Sequence, residues 1–434
     1  MSDTGGHGRL SRRGLIVAGA STAAVAGGYV GLRAAGADDP EERPESGVAD
    51  YVNLTRFLLA SHPPKVAAAI DRHRRALDRN AALYLRDSER LEHAARTAAA
   101  DHLGARPDEI ALTDSTTMGL ALVYGGLRLE PGDEVVTTEH DFYATSESLR
   151  LRHERDGVAV RRLQLFAVPD EASVDRILTT IQCALGPRTR VLALTWVHSQ
   201  SGVKLPLRQI AEVVERANRG RRERERILLC VDGVHGLGVE DASPVDLGAD
   251  VFIAGCHKWL FGPRGTGIIW AAPHAWERMA PMIPTFDVRA FAAWIAGQPP
   301  TTVPPGPLMT PGGYHSFEHR WALPQAFEHH ADLGGPAEVA GRTRALAARM
   351  KRGLKEISGV RVKTPDDEEL SAGLVCAAVP ALPAFLIVDR LLEEHRVIAS
   401  VTPYAWRFVR FGPTATNTEA EVDWALEAVA AVLR

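Results

Sequence analysis

The segment AGCHKWLFGPRGTGIIW, Ala254–Trp270, places a lysine at the point where an apolar strand ends. The residues before it, ADVFIAG, form an apolar run of the kind found in strands buried on both faces. The residues after it include a proline and three glycines, which indicate a loop whose backbone approaches its neighbours closely. Lysine is among the residues least often buried, so Lys258 is a candidate functional residue.

Strands and helices alternate on both sides of this segment. Apolar runs such as VLALTWV and ILLCVD are typical of strands, and amphipathic segments such as LPLRQIAEVVERAN lie between them. Apolar strands separated by helices predict a largely parallel sheet covered on both faces. We predict a large domain over residues 51–305, whose N-terminal segment contributes to a smaller α+β domain over residues 306–434.

The overall composition excludes several classes of partner and site. The 434 residues are 45% hydrophobic and 24% charged, as in an ordinary globular protein. Fifty basic and 54 acidic residues give a net charge of −4, so neither nucleic acid nor an anionic membrane is indicated as a partner. The four cysteines show no metal-ligand spacing, and His315, His319, His329 and His330 lack an HExxH pattern, so we predict no metal site.

The N-terminal residues have the pattern of an export signal. Ser11, Arg12 and Arg13 precede an uncharged run of small and apolar residues that ends at a cleavage-like Ala35-Gly36-Ala37. The run is too short and too rich in Gly and Ala to be a comfortable membrane span. We predict a twin-arginine signal over residues 1–37, a polar linker over residues 38–50, and an exported mature protein without a membrane span. The alternative is a disordered tail with paired arginines, which would leave the protein in the cytoplasm.

Polar residues lie at the ends of several predicted elements, where ligands bind in open α/β sheets. Ser115, Thr116 and Thr117 open a helix, and a helix N-terminus with hydroxyl groups suits a phosphate. An N-cap explains the same residues equally well. Asp232 ends the strand ILLCVD, where a carboxylate is unfavourable unless it pairs with a cation. An Asx turn is the alternative for this aspartate.

Two histidines and the lysine complete this set. His140 ends the predicted strand in TTEH, where a histidine is more often structural than functional, and His235 follows Asp232 by three residues. The ordinary pKa of lysine, about 10.4, makes Lys258 a poor nucleophile unless burial or a neighbouring cation lowers it. A helix N-terminus for phosphate, with an acid and a lysine at successive strand ends, is what pyridoxal 5′-phosphate (PLP) requires.

The order STT, EH, DxxH, HKW and PRGTG resembles the class V family of fold-type I PLP-dependent enzymes over roughly residues 50–434. This family includes cysteine desulfurases, selenocysteine lyases and epimerase-like enzymes. The segment HKWLFGPRGTG is similar to the isopenicillin N epimerase-like branch. The resemblance implies a mostly parallel, seven-stranded type of sheet between helices, a smaller C-terminal domain and a homodimer.

The resemblance also implies roles for individual residues. Lys258 would hold PLP covalently and then move the proton at the substrate Cα, while Asp232 would keep the pyridine nitrogen protonated. His235 would form a hydrogen bond with the ring oxygen, and His140 would stack on the ring. The implied phosphate-binding residues are Ser115, Thr116, Thr117 and His257.

Two further residues are assigned by resemblance outside these motifs. The segment RFGPTATNT places Arg410 where the family binds the substrate carboxylate, which an arginine can hold bidentately. Arg407 is a rival for this role, and a surface position is the alternative for Arg410. Ser199, in TWVHSQSGVKLP, lies where many relatives carry a residue that contacts the ring.

The sequence departs from the family pattern at three places. Many members have a serine two residues before the His of the lysine motif, where this chain has Gly255. The segment SFEHRWAL replaces the family's Gly-Thr that reaches the phosphate of the partner subunit, with His319 or Arg320 as candidate substitutes. The loop from VIASVTPYAW to Arg410 has no cysteine, so we do not expect desulfuration by a persulfide route.

The motifs do not select one reaction. We predict a PLP-dependent enzyme that acts at the Cα of an amino acid, either epimerase- or aminotransferase-like. A C–S or C–Se β-lyase of the same family is the alternative. A PLP-binding protein without catalysis is a third possibility because of Gly255 and SFEHRW, although such a protein would not need Arg410.

Overall fold

The computed structural model describes residues 51–434. The predicted signal (residues 1–37) and linker (residues 38–50) lie outside the described residues and stay predictions. Among the described residues, none of the helices combines the length and the apolar character needed to cross a membrane.

The strands of the described chain are short, and most belong to one large sheet. In chain order they are β1 (Val52–Asn53), β2 (Ile110–Thr113), β3 (Glu134–Thr138), β4 (Ala159–Leu163), β5 (Thr189–Thr195), β6 (Leu228–Asp232), β7 (Val251–Gly255), β8 (Gly267–Ala271), β9 (Arg361–Val362), β10 (Val375–Ala378), β11 (Val397–Ile398), β12 (Ser400–Val401) and β13 (Val409–Phe411).

The helices lie on both faces of this sheet and around the C-terminal strands. In chain order they are α1 (Pro64–Tyr84), α2 (Ser88–Leu103), α3 (Thr116–Gly126), α4 (Tyr143–Asp156), α5 (Val174–Ala184), α6 (Leu207–Asn218), α7 (Pro273–Trp276), α8 (Val288–Ile295), α9 (Pro305–Met309), α10 (Phe317–Trp321), α11 (Pro324–Asp332), α12 (Gly335–Glu356), α13 (Ala384–His395) and α14 (Glu419–Val432).

The large sheet has seven strands in the order β2-β8-β7-β6-β5-β3-β4. Strands β7, β6, β5, β3 and β4 are parallel to one another, and β8 is antiparallel to both β7 and β2. Parallel strands need crossover connections, and helices between the strands supply them. The prediction of a mostly parallel α/β sheet is confirmed.

The alternation of side chains along the strands explains why both faces are covered. Successive residues of a strand point to opposite faces. In β5, Val191 and Ala193 belong to the apolar core on one side, and Leu192 and Leu194 belong to the core on the other. Since both sets are apolar, the strand reads as a continuous apolar run in the sequence.

The C-terminal residues form a second layer structure with its own apolar core. Strands β12, β13, β10 and β9 make an antiparallel sheet packed with α12, α13 and α14. The N-terminal strand β1 pairs in parallel with β11, so the start of the described chain joins the C-terminal unit. Helix α9 begins at residue 305, and α10 and α11 come after it, but all three pack against β2, α1 or α2. The proposed division of the chain at residues 305/306 stays a prediction.

The strand order brings the candidate residues together. The carboxyl ends of β3, β5, β6 and β7 are neighbours at one edge of the sheet, and α3 begins beside them. Asp232 is the last residue of β6, and Lys258 comes three residues after the end of β7. This edge therefore collects side chains that are far apart in the sequence.

Candidate active site

A cavity of about 240 Å³ lies at this edge, between the large sheet and the C-terminal unit. Nine of the ten predicted site residues line it, and the tenth, His140, does not. The nine are Ser115, Thr116, Thr117, Ser199, Asp232, His235, His257, Lys258 and Arg410. Their assigned roles stay predictions, but the structure places them around one cavity.

The Lys258 amine lies in an environment that favours its neutral form. The side chain is partly buried, and its Nζ is 3.3 Å from Nε2 of His235. Burial lowers the pKa of Lys258, and the charge of Arg410 lowers it further, while Asp232 opposes the shift. A neutral amine is the form that can act as a nucleophile or accept a proton.

Asp232 is buried at the end of β6. Its Oδ1 accepts a hydrogen bond from the backbone N–H of Val234 at 3.1 Å, which is the Asx turn considered from the sequence. Burial raises the pKa of Asp232, while the Val234 N–H and Lys258 act in the opposite direction. A cationic partner in the cavity would stabilise its carboxylate, as the proposed pyridinium contact requires.

The N-terminus of α3 opens onto the cavity. Ser115 is the N-cap, and its Oγ accepts a hydrogen bond from the backbone N–H of Met118 at 3.1 Å. Thr116 has a buried Oγ1 without a hydrogen-bond partner among the described residues. The capping and the phosphate-binding interpretations are compatible, since the cap leaves the first helical N–H groups free for an anion.

His257 faces the same region from the end of β7. Its Nδ1 is buried and has no partner among the described residues. Burial, with a smaller contribution from Lys258, lowers the pKa of His257 to about 4. Two buried polar atoms without partners, this Nδ1 and the Thr116 hydroxyl, indicate a place for a polar ligand.

Arg410 reaches the cavity from β13. It is 2% exposed, its Nη1 donates to the backbone oxygen of Ser199 at 2.8 Å, and its Nε donates to Oγ of Ser400 at 3.2 Å. The ring of Phe57 lies 4.9 Å from the guanidinium carbon. Within residues 51–434 no carboxylate forms an ion pair with Arg410, whereas Arg407 is exposed.

His140 is not among the residues that line this cavity, and its stacking on a ligand ring stays a prediction. Its ring stacks on Phe166, with centroids 3.8 Å apart, and its Nε2 accepts a hydrogen bond from the N–H of Leu165 at 3.2 Å. Phe142, two residues later, lines the cavity instead. The sequence EHDFY contains three aromatic rings close together, and the structure places Phe142 of these among the residues that line the cavity.

Asp141, between these two residues, was not identified from the sequence. Its carboxylate accepts hydrogen bonds from both hydroxyls of Thr137 and Thr138, from the Thr138 N–H, and from the N–H of Thr195. These bonds join the carboxyl ends of β3 and β5. The available signal was an aspartate just after a strand, the usual position of an Asx turn.

Tyr404 was also missed. Its hydroxyl is 2.7 Å from Oγ of Ser199, so the β12–β13 loop is tied to the large sheet at the cavity. Burial raises the pKa of Tyr404, which keeps the phenol protonated. In this loop, where a desulfurase would need a thiol, the chain carries Pro403 and Tyr404.

The cysteines of the chain are not placed for nucleophilic chemistry in the cavity. None of the residues that line it is a cysteine. Cys256 and Cys376 are buried, and burial raises the pKa of each thiol to about 12. Only Cys183, on α5, is exposed.

The segment SFEHRWAL contributes a buried arginine that forms two ion pairs. Arg320 is buried, and its Nη2 lies 3.2 Å from Asp114, the residue before the N-cap of α3. Its Nη1 lies 3.6 Å from Glu92 on α2. Arg320 therefore pairs with acidic residues of its own chain, next to the N-terminus of α3.

The fold is that of fold-type I enzymes, which use PLP. The Aminotransferase class-V family model matches residues 63–402, which is well over half of the chain. An isopenicillin N epimerase of Streptomyces clavuligerus is 28% identical, over 80% of this chain and 86% of its own. A protein of Mycobacterium tuberculosis named "Probable hercynylcysteine sulfoxide lyase" is 29% identical, over 55% of this chain and 56% of its own.

A solved structure has the same fold. The cystine C–S lyase C-DES, in complex with cysteine persulfide, superposes with a TM-score of 0.78 at 22% identity, over 88% of this chain and 98% of its own. The chain belongs to the class-V aminotransferase family and is a PLP-dependent enzyme.

The residues of the cavity fit this cofactor. The lysine amine has a lowered pKa, the carboxylate of Asp232 is buried and forms no ion pair with a described residue, and the α3 N-terminus with the Thr116 hydroxyl and His257 Nδ1 offers groups for a phosphate. Lys258, Asp232 and these phosphate-side groups would hold PLP.

Proposed function

We propose that the enzyme acts at the Cα of an amino acid, with an epimerase- or aminotransferase-like outcome. The observation that carries the proposal is Arg410, a buried guanidinium without a carboxylate partner among the described residues, beside the Lys258 amine. A buried cation without a counter-ion is strongly unfavourable, so its position indicates an anionic ligand. The α-carboxylate of an amino acid is such a ligand.

The contacts of Arg410 fix the orientation of its guanidinium. Nε and Nη1 are held by Ser400 and Ser199, while Nη2 has no hydrogen-bond partner among the described residues. The face of Phe57 supports the group from one side. A substrate carboxylate bound at Nη2 would therefore be held in one orientation, which sets the direction of the Cα–H bond.

The remaining residues supply proton transfer. PLP, when bound, provides an electron sink for negative charge at the substrate Cα. The neutral Lys258 amine accepts and returns the Cα proton, and Asp232 provides the negative charge that favours a protonated ring nitrogen. The name of the Streptomyces relative supports the epimerase-like outcome.

A β-lyase is the second candidate. It is favoured by the name of the Mycobacterium tuberculosis relative, which describes a lyase that acts on a sulfur compound. A lyase of this kind needs a leaving group at the substrate Cβ but no thiol on the enzyme. The described residues that line the cavity include no thiol, which argues against a persulfide route but not against a β-lyase.

The test uses PLP-loaded protein and a panel of amino acids in both enantiomers. The visible spectrum of the bound cofactor reports binding, and product analysis distinguishes inverted amino acid, keto acid, and keto acid with a released β-substituent. We expect Arg410→Gln to lower kcat/KM by about 10²–10³-fold, because a buried charge contact to the carboxylate is lost.

The matched control is Arg407→Gln, which removes an exposed arginine three residues earlier. We expect it to leave kcat/KM within about twofold of the unmodified enzyme, since exposed charges contribute little. Equal losses in the two variants would refute the role of Arg410. No spectral response to any amino acid would refute the proposed substrate class.

The proposal includes a homodimer. Its support is an exposed apolar surface, the α8 patch, in which Trp294 and Ile295 are 75% and 77% exposed. The patch consists of Phe286, Val288, Phe291, Trp294, Ile295 and Tyr314. Apolar surfaces of this kind mark interaction sites more often than free surface.

Export by the twin-arginine route also belongs to the proposal. Its support is the sequence alone: Arg12 and Arg13 before an apolar run and a cleavage-like Ala35-Gly36-Ala37. This route carries folded proteins, so PLP loaded in the cytoplasm would leave with the enzyme. Replacing both arginines by lysine should keep the protein in the cytoplasmic fraction, and unchanged export would refute the route.

A further inference from the structure

The indole of Trp259, next to the lysine in the sequence, is hydrogen-bonded to a residue of the site. Its Nε1–H donates to Nδ1 of His235 at 3.1 Å, and both side chains are buried. On the other side of the same imidazole, Nε2 lies 3.3 Å from Nζ of Lys258. His235 therefore lies between the indole and the lysine amine.

The chemistry of the indole fixes the protonation of the imidazole. An indole N–H can only donate, so Nδ1 of His235 is the acceptor and carries no proton. Burial, together with the charges of Lys258, Arg410 and His257, lowers the pKa of His235 well below its ordinary value, so the ring is neutral. A neutral imidazole has one proton, which must then be on Nε2.

We propose that Trp259 is a positioning residue that holds His235 in the tautomer whose Nε2–H faces the Lys258 amine. In this tautomer Nε2–H donates and cannot accept. The lone pair of a neutral amine can accept this hydrogen bond, whereas an ammonium group, which has only donors, cannot. The indole thus favours the reactive form of Lys258 through the imidazole.

The surroundings of Trp259 leave the indole little freedom to turn away. Phe57 stacks on it, with centroids 5.7 Å apart and planes at 25°. A Cβ atom added at Gly373, in the C-terminal unit, would lie 2.7 Å from the indole ring. A Cβ atom added at Gly238, which has a positive φ of 78°, would lie 2.8 Å from the backbone nitrogen of Leu260 and 3.0 Å from the carbonyl carbon of Trp259.

The other charged groups around the amine do not determine the tautomer. Asp232 raises the pKa of Lys258, while Arg410 lowers it, and His257 acts on His235. None of these three forms a hydrogen bond with the imidazole of His235 among the described residues. The indole is therefore the group that selects which ring nitrogen carries the proton.

The test compares Trp259→Phe with the unmodified full-length chain. Long-range ¹H–¹⁵N spectra of protein labelled in histidine distinguish the two tautomers, and His235→Gln identifies the signal. We expect the Nε2–H form in the unmodified protein, with and without PLP, and a mixture or the Nδ1–H form in Trp259→Phe. The same tautomer in both proteins would overturn the proposal.

A second measurement follows the protonation of the Lys258 amine. The rate at which PLP-stripped protein recaptures PLP, read as visible absorbance against pH, depends on the fraction of neutral amine. In Trp259→Phe, Nε2 of His235 can lose its proton and accept a hydrogen bond from the Lys258 ammonium group, which raises the pKa of Lys258. At pH values below the midpoint of the pH profile, PLP recapture should therefore slow by about 3- to 10-fold, as expected for one hydrogen bond. An unchanged pH profile would also contradict the proposal.

Two controls separate this effect from lost packing. Trp196→Phe changes another buried tryptophan, which packs on Gly236 and does not hydrogen-bond to His235, and should leave tautomer and pH profile unchanged. In a His235→Gln background, Trp259→Phe should no longer shift the pH profile, since the two effects are coupled through the imidazole. A shift that persists in that background would show that Trp259 acts by packing alone.

The importance of this hydrogen bond for catalysis rests on the proposed function, in which Lys258 transfers the proton. The tautomer of His235 does not depend on that function. An enzyme that transforms no amino acid can still show the tautomer change. Conversely, a turnover defect in Trp259→Phe without a tautomer change would leave the proposed function standing and refute this inference.

Discussion

At the scale of single residues, Gly255 explains how the site departs from the family pattern. A Cβ atom added there would lie 2.9 Å from Oγ1 of Thr116 and 3.0 Å from Cε1 of His257. The Thr116 hydroxyl therefore fills the space that a side chain at residue 255 would occupy. This hydroxyl is also buried and has no hydrogen-bond partner among the described residues, as expected for a group that binds a ligand.

This geometry predicts the effect of enlarging Gly255. Gly255→Ala adds a methyl group without a hydroxyl and forces Thr116 to move its Oγ1, so we expect PLP to bind about tenfold more weakly, within the usual range for overpacking. Gly255→Ser introduces a hydroxyl at the same place and should lose less affinity. Titration of PLP followed by visible absorbance measures both.

The control for these variants is Gly341→Ala on α12. A Cβ atom added at Gly341 has no neighbour within 4 Å, so the substitution tests the loss of a glycine without crowding. It should leave PLP affinity unchanged. If Gly255→Ala bound PLP as tightly as this control, the crowding argument would be wrong.

At the scale of elements, the sheet could be predicted because its strands are buried on both faces. Continuous apolar runs ended by polar residues located β5, β6 and β7, and the positions of Asp232 and Lys258 followed from strand ends. The loop after the lysine was also visible, through its glycines and proline. There Phe261 adopts a positive φ of 57°, a conformation unusual for a residue other than glycine.

The contacts across elements could not be predicted in the same way. His140 and Phe142 follow the same strand, and only the tertiary structure determines that Phe166 covers the first and leaves the second at the cavity. The same holds for Trp259, whose partner His235 is 24 residues away in the sequence. The candidate residues were found from local patterns, and their partners required the fold.

The partners of Arg320 also could not be predicted from the sequence. The sequence suggested His319 or Arg320 as replacements for a contact to the partner subunit. In the fold, α10 packs on α1 and α2, and this places Arg320 between Glu92 and Asp114. A charge pattern gives the type of contact, but the packing of helices decides the partner.

At the scale of the whole molecule, the α8 patch departs from a typical monomer surface because six large apolar side chains are exposed in it. Its residues come from α8 and from the segments on either side, and Phe286 contacts both Phe291 and Tyr314, with ring centroids 5.4 Å and 6.4 Å apart. Phe286 therefore joins an aromatic ring of α8 to Tyr314 within the patch. It adjoins the cavity formed by Glu92, Arg96 and Arg320, behind the α3 N-terminus. Dimerisation through the patch would place a second copy near the phosphate side of the active site.

The proposed homodimer predicts that charges in the α8 patch separate the subunits. The double substitution Trp294→Glu and Ile295→Lys places two charges where apolar side chains would be buried, and unpaired buried charges are strongly unfavourable. We expect the doubly substituted protein to elute as a monomer of about half the mass in size-exclusion chromatography with light scattering.

The control for the double substitution is Trp424→Glu on α14. This tryptophan is also exposed, at 54%, but lies outside the patch, so its substitution should leave the dimer intact. A monomer in the unmodified protein, or a dimer that survives the double substitution, would contradict the proposed interface. Circular dichroism of each variant would establish that the fold is retained, so that loss of the dimer reports the interface.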